Sequence, residues 1–220
     1  MNLLPLLHLC DSAFPLGAFA YSDGLESATA AEQVATADDL RAWIDVCLDE
    51  TLGRMEGPAV WQAWPAFRDA DWDTLVTLDG ELTALRPSSS ARRSSRAMGR
   101  RLLTTWQNLH PDPRIEHALT LFGPALPIAF AGACACSAID RRRAVEAFAY
   151  TRLAATISAA MRLMPIGQTD AHALLARTLE RVPAVIDLVA SRDARIESFA
   201  PAVDIAAMTH QYLHSRLFRS

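Results

Sequence analysis

The chain has 220 residues, a hydrophobic fraction of 51% and a formal net charge of -4 at pH 7. This length allows one well-buried core, and the composition excludes an intrinsically disordered chain. The small net charge gives no reason to expect binding to nucleic acid or to a membrane surface. All 21 basic residues are Arg, and the absence of Lys excludes a P-loop lysine or a Schiff-base lysine in this chain.

The cysteines and the start of the sequence predict a cytoplasmic protein. The first ten residues have no basic flank and no small-residue cleavage site, so a signal peptide is not expected. The four cysteines form neither a disulfide framework nor a C-x-x-C pair, which is typical of a reduced cytosolic protein. They are Cys10, Cys47, Cys134 and Cys136.

Helical patterns dominate the sequence. Thr36 and Asp39 resemble a capping box, and an apolar face with helical spacing follows from residue 40 to residue 51. We expect Gly57 and Pro58 to interrupt this helix. Further helices are expected over 71–85, 88–109, 140–164, from 168 with an interruption near Pro183, and from Pro201 onward.

The last predicted helix should point Ile205, Met208 and Tyr212 inward. Residues 118–139 carry no charge and are long enough to span a membrane, but their Gly and Pro residues favour a buried helical hairpin. We therefore predict an all-α, single-domain bundle of about 8–10 helices over residues 1–220. Within it, segments 1–10 and 214–220 are the expected flexible parts.

Several patterns indicate chemistry only weakly. Asp69, Asp71 and Asp73 imitate the start of a calcium loop, but the required Gly and the bidentate Glu are missing, so we interpret them as carboxylates at a helix N-terminus. Ser22 resembles the serine of a nucleophile elbow, but Ala20 stands where that motif needs its first glycine. We therefore interpret the Ser22 hydroxyl as a helix cap. Cys134 and Cys136 would diverge on a helix, so we interpret them as buried apolar residues.

His210 and His214 lie one helical turn apart and could hold zinc or nickel, but no third ligand is evident. We expect these histidines to be exposed or to contact a partner. Five arginines crowd one helix without the aromatic platforms of a nucleic-acid site. We interpret them as a solvated face or as a contact for an acidic protein partner. They are Arg92, Arg93, Arg96, Arg100 and Arg101.

Three separated motifs carry a family resemblance. They are PLGAFAYSDGLE at residues 15–26, RLMPIGQTDAHALL at residues 162–175 and DIAAMTHQYLHSRLFRS at residues 204–220. Together they resemble the signatures of the UreF family of urease accessory proteins, in the right order along nearly the whole chain. The chain departs from the family pattern at Ile166 and Asp23, and in its Arg-rich helix, which is usually richer in Glu.

The resemblance implies an all-helical scaffold that dimerises and does no covalent chemistry. Such proteins bind UreD (also called UreH) and with it recruit UreG, a GTPase that carries nickel to apo-urease. No cofactor or metal is expected in this chain, because the complex handles the nickel. Tyr21 and Arg216 match residues expected to face UreG, and segment 214–220 is expected to order only when UreD is bound. The residues expected to contact partners are Tyr21, Ser22, Gly24, Glu26, Gln168, Asp170, Arg216, Leu217, Phe218 and Arg219.

Two other classes of function are weighed against the scaffold. One is a helical enzyme that uses Ser22 or a set around Asp170 and His172, which would require a pocket joining those residues. The other is a membrane-associated protein built around residues 118–139.

Overall fold

A computed structural model describes residues 3–191 and 195–219, and these contain helices and no strand. The α-helices are α1 (Leu3–Cys10), α2 (Leu25–Ala30), α3 (Ala37–Val46), α4 (Gly57–Asp69), α5 (Trp72–Ala84), α6 (Ser89–Leu109), α7 (Pro113–Leu121), α8 (Leu126–Cys136), α9 (Arg141–Leu163), α10 (Gln168–Ser191) and α11 (Pro201–Thr209). Single 3₁₀ turns occupy Ala18–Ala20 and His210–Tyr212. The all-α prediction is confirmed.

The predicted break at Gly57 and Pro58 is wrong. A π-helical segment, Cys47–Glu56, joins α3 to α4 without interruption, and the Gly57 N–H donates to the Leu52 carbonyl, five residues back. The wider π turn carries the chain into Pro58, which lies in the first turn of α4, where a missing N–H costs little. If α3, the π-helical segment and α4 are counted as one continuous helix, the described residues contain ten helices.

The N-terminal caps of the helices form where the sequence predicts them. Thr36 and Asp39 form the complete capping box of α3, and the Asp39 carboxylate also accepts the Ala35 N–H. Ser88 caps α6 by accepting the Ala91 N–H, and Asp71 caps α5. Pro183, however, does not interrupt α10, which continues to Ser191. The helix persists because it buries a long apolar face that includes Val182 and Ile186 on either side of the proline.

The core is centred on α8, whose residues 126–135 are all buried and which packs mainly against α4 and α6. The uncharged stretch 118–139 is divided between the end of α7 and α8 by a break at residues 122–125. No helix in the described parts of the chain is both long and apolar enough to cross a lipid bilayer. The long helix α9 lies beside α4 and α10 and contacts the N-terminal segments.

The predicted orientation of α11 is wrong. Ile205, Met208 and Tyr212 are 57%, 44% and 80% exposed, whereas Ala206 and His210 are buried. Contacts with the first motif, at Gly24 and Glu26, determine this orientation.

Candidate partner-binding site

The first motif is an irregular segment whose backbone needs glycine. Gly17 and Gly24 have φ values of +75° and +91°, and Asp23 also has a positive φ of +50°. A Cβ atom on Gly24 would lie 2.9 Å from the Ala207 backbone nitrogen and 3.1 Å from the Val203 carbonyl. Only glycine therefore allows α11 to pack directly on the start of α2.

Glu26 joins the first motif to the end of the chain. Its side chain is buried, and one carboxylate oxygen lies 2.6 Å from Nε2 of His210. The same oxygen accepts the Phe218 N–H at 3.1 Å, and the other oxygen accepts the Leu217 N–H. A single carboxylate thus contacts residues 184 to 192 positions away in the sequence.

Arg162, the first residue of the second motif, completes this junction. Its guanidinium donates to the Phe19 carbonyl at 2.8 Å and lies 4.2 Å from the centroid of the Phe218 ring, in a cation–π contact. The Arg219 N–H donates to the Ala20 carbonyl at 2.8 Å. The three motifs that carry the family resemblance therefore meet in one place, which we call the motif junction (Phe19, Ala20, Glu26, Arg162, His210 and residues 217–219).

The predicted partner-binding residues divide into inward and outward groups. Ser22, Gly24, Glu26 and Phe218 are buried, so they shape the junction and present no surface in this conformation. Arg216, Leu217 and Arg219 are exposed, and we call these three residues the tail surface. Tyr21 is half-buried, while Gln168 and Asp170 are exposed in the first turn of α10.

The tail lies against its own chain in this structure. Phe218 is 4% exposed, and residues 217–219 bond to Glu26 and Ala20. Phe218 could contact a partner only if the tail moved. That segment 214–220 needs UreD to become ordered stays a prediction, and Ser220, like Met1 and Asn2 of segment 1–10, lies outside the described residues.

The residues considered for catalysis or metal binding lie in other arrangements. The Ser22 hydroxyl accepts the Glu26 N–H in the first turn of α2, although the N-cap residue itself is Gly24. His210 is buried against Glu26 and is not exposed, while His214 is exposed; that either histidine contacts a partner stays a prediction. Asp170 and His172 both lie on the exposed side of α10. Within residues 3–191 and 195–219, no three His, Cys, Asp or Glu side chains are grouped to hold a metal ion.

Burial keeps the cysteines in the thiol form. It raises the pKa of the Cys10 thiol to about 11 and that of Cys136 to about 12, and it raises the pKa of Cys134 well above its ordinary value. Because metal binding requires the thiolate, this environment opposes a metal site at Cys134 and Cys136.

The Arg-rich helix α6 is only partly a solvated face. Arg93, Arg100 and Arg101 are exposed. Arg96 instead pairs with the buried Asp79 at 2.7 Å and donates to the carbonyls of residues 122 and 123. Arg92 donates to the carbonyls of residues 86 and 87. These two arginines therefore bind their own chain, so the prediction of a fully solvated face is wrong for them.

The sequence patterns miss a buried ionic cluster beside the first motif. Arg152 on α9 donates to Asp23 at 2.6 Å and to Glu56 at 3.2 Å, and Glu56 also pairs with Arg86. Burial by itself would lower the pKa of Arg152, but the two carboxylates raise it above its ordinary value. Because Arg152 lies 129 residues from Asp23 in the sequence, no local spacing could have indicated the contact.

A wide groove of about 950 Å³ is lined by residues of α1 and α9, by the segment after α1 and by Phe218. Its lining is mainly apolar and includes Leu3, Leu7 and Tyr150, which are 46%, 57% and 42% exposed. Its charged residues are two of each sign, Arg143 and Arg162 with Asp11 and Glu146. The groove therefore offers an apolar surface with paired charges.

Comparison with known proteins identifies the family. A model of the UreF family matches residues 34–179. Urease accessory protein UreF from Azoarcus sp. (strain BH72), from Polaromonas sp. (strain JS666 / ATCC BAA-500) and from Methylibium petroleiphilum (strain ATCC BAA-1232 / LMG 22953 / PM1) is 32% identical in each case. The alignments cover 100% of this chain and 96%, 95% and 94% of those relatives. The match extends over the motif junction at both ends of the sequence, and the chain belongs to the UreF family of urease accessory proteins.

Proposed function

We propose that this protein is a non-catalytic scaffold for urease maturation, which binds UreD (UreH) and with it recruits the GTPase UreG to apo-urease for nickel insertion. The observation that carries the proposal is the motif junction. Glu26 and Arg162 hold three distant segments together, and the tail surface extends outward from them. Such an arrangement is suited to display side chains to another protein, because a rigid helical core fixes their positions.

The tail surface has the chemistry of a protein contact. Arg216 and Arg219 present two guanidinium groups, which bind carboxylates through paired hydrogen bonds, and Leu217 is 56% exposed between them. Arginine is one of the residue types enriched in interface hot spots. In this proposal nickel is cargo of the complex and is not held by this chain.

Co-purification with UreD and UreG tests the proposal. The full chain should form a complex, and a chain without residues 214–220 should lose it. Arg216→Ala should weaken the complex, whereas Arg177→Ala, which removes an exposed arginine on α10, should not. No complex with the full chain would contradict the proposal.

The same variants distinguish two roles of Arg216. If Arg216 docks the partner, Arg216→Ala reduces UreG recruitment. If it acts on the nucleotide, recruitment is retained and GTP hydrolysis in the complex slows. We propose the docking role, because Arg216 lies beside the half-exposed Leu217 on a surface shaped for protein contact.

We also propose that a second copy of the chain covers the groove between α1 and α9. In a two-fold interface each contact occurs twice, so Arg143 of either copy can meet Glu146 of the other. Leu7→Glu should therefore yield monomers in analytical ultracentrifugation, while Leu188→Glu on α10, which is 55% exposed, should leave the dimer intact. A wild-type monomer at micromolar concentration would contradict this assignment.

The cytoplasmic location stays a prediction.

A further inference from the structure

We infer that Arg152 is a positioning residue, which holds the first-motif loop (residues 17–24) in the conformation that a partner protein contacts. This inference rests on the proposed function for its consequence, because a fixed loop matters only if a partner meets Tyr21. Arg152 lies on the long helix α9 and outside the motif junction. The physical claim is that its salt bridge with Asp23 fixes the loop to the helical core.

The orientation of the Arg152 guanidinium is set by Glu56. Glu56 is 1% exposed and ends the π-helical segment, so its carboxylate belongs to the core. It accepts from Nε of Arg152 at 3.2 Å, while Nη2 of the same guanidinium donates to Asp23 at 2.6 Å. A guanidinium can span two carboxylates because its N–H groups point in fixed, different directions. The Arg152 side chain is 15% exposed, so solvent screens these contacts little.

Asp23 needs such an anchor because its backbone is strained. Its φ of +50° lies in the left-handed region, which aspartate enters more readily than most residues but still at a cost in free energy. Gly17 and Gly24 also have positive φ values, so the loop is unusual over its whole length. A strained conformation persists only where its surroundings hold it, and the salt bridge with Arg152 provides such a contact.

A second arginine of α9 holds the other half of the loop. Arg162 donates to the Phe19 carbonyl at 2.8 Å and lies about 15 Å from Arg152 along the helix axis. Tyr21 lies between these two attachment points, and its N–H donates to the Ala18 carbonyl at 3.0 Å. A partner that contacts Tyr21 therefore meets a backbone fixed on both sides, and less conformational freedom is lost on binding.

Hydrogen exchange, measured by NMR on the full chain, tests the anchoring. The Tyr21 and Leu25 amides have hydrogen bonds on either side of Asp23 and should be protected in the wild type. Asp23→Asn still tolerates the left-handed backbone but loses the charge. Protection of both amides should then fall on the order of 5-fold, with the amides of α8 unchanged. Arg152→Met should lower the protection at least as far.

Arg96→Met separates positioning from a general loss of stability. Arg96 pairs with the buried Asp79 and contacts residues 122 and 123 instead of the loop. The variant should lower the free energy of unfolding, yet leave the protection of Tyr21 and Leu25 and the formation of the complex unchanged. If it released the loop as far as Arg152→Met does, Arg152 would have only a general structural role and the inference would be overturned.

A double-mutant cycle on complex formation with UreD and UreG tests the consequence for binding. Asp23→Asn should weaken the complex on the order of 5-fold, and it should add little in the Arg152→Met background, because the two residues act through one contact. Additive effects would overturn the inference, and so would loop amides that stay as protected as in the wild type in both variants. Loop protection that depends on Arg152, in a wild-type chain that forms no complex, would instead contradict the proposed function alone.

Discussion

At the scale of single residues, each of three deeply buried carboxylates has a cationic or imidazole neighbour. Glu26 contacts His210, Glu56 contacts Arg152 and Arg86, and Asp79 contacts Arg96. An isolated buried charge is costly, so these neighbours are needed for the fold to tolerate the carboxylates. Arginine suits the role, since its guanidinium binds several acceptors at once and keeps its charge when buried.

Removing Arg152 should destabilise the protein strongly. Arg152→Met would leave Asp23 without its ion pair and would leave Glu56, which is 1% exposed, with Arg86 alone. We expect a loss of about 3 kcal/mol in the free energy of unfolding, measured by urea denaturation, because a buried charge then lacks its partner.

Arg142 provides the matched control on the same helix. It pairs with Asp187 and Glu146, but its side chain is 40% exposed. Arg142→Met should therefore cost much less stability than Arg152→Met, because solvent screens its ion pairs. Similar losses of unfolding free energy for the two variants would show that burial does not strengthen the ion pairs of Arg152.

Asp112 should give a stability contribution that depends on pH. Its hydrogen bonds with the Arg114 side chain lower its pKa below the ordinary value, and the carboxylate also caps α7. The stabilisation is complete at neutral pH and is lost as the pH falls below about 4, because the unfolded chain then binds the proton more readily.

Asp112→Asn keeps the capping acceptor but loses the charge. It should cost about 1 kcal/mol at pH 7, and the difference from the wild type should shrink in acid. Thermal melts of the wild type and the variant between pH 3 and pH 7 measure the stability difference at neutral and at acidic pH. A difference that stays constant over this range would contradict the ionic assignment.

Sequence patterns identify the residues of the site better than their roles. The glycine-rich motif and the arginine-bearing tail are visible in the sequence, and the structure brings them together. That Glu26 and Phe218 point inward was not predictable, because their partners lie 184 or more residues away. The burial of His210 against Glu26 was not predictable for the same reason.

At the scale of elements, local signals predicted helix ends well. The capping box at Thr36 and the serine cap of α6 depend on neighbours within three residues, so the sequence contains all the required information. The errors at Gly57 and Pro183 arose because tertiary packing held helices together through residues that disfavour them. The face of α11 was likewise decided by Gly24, far away in the sequence.

The contact between α6 and the start of α8 should not tolerate a methyl group. A Cβ on Gly99 would lie 2.2 Å from the Pro124 carbonyl oxygen, closer than any packing allows. Because the neighbouring atoms belong to the backbone, Gly99→Ala should cost about 2 kcal/mol or more in the free energy of unfolding.

Gly80 in α5 is the matched control, since a Cβ there meets nothing within 4 Å. Gly80→Ala should stabilise the protein by up to about 1 kcal/mol through helix propensity. Denaturant unfolding of both variants tests the pair. Equal effects would contradict the close approach of α6 to the segment before α8.

At the scale of the whole molecule, one apolar cluster connects residues from Leu9 to Phe218. A continuous core favours cooperative unfolding, so we predict a single calorimetric transition with equal calorimetric and van't Hoff enthalpies. Scans at two protein concentrations would separate any contribution from dimer dissociation. Two resolved transitions at both concentrations would contradict the single-domain prediction.

The cluster of Arg152 with Asp23 and Glu56 has a consequence for behaviour on heating. Water solvates ions less favourably as the temperature rises, so the penalty for keeping these charges out of water decreases. Their mutual attraction inside the protein changes less. The cluster should therefore contribute a larger share of the folding free energy at high temperature than at low temperature.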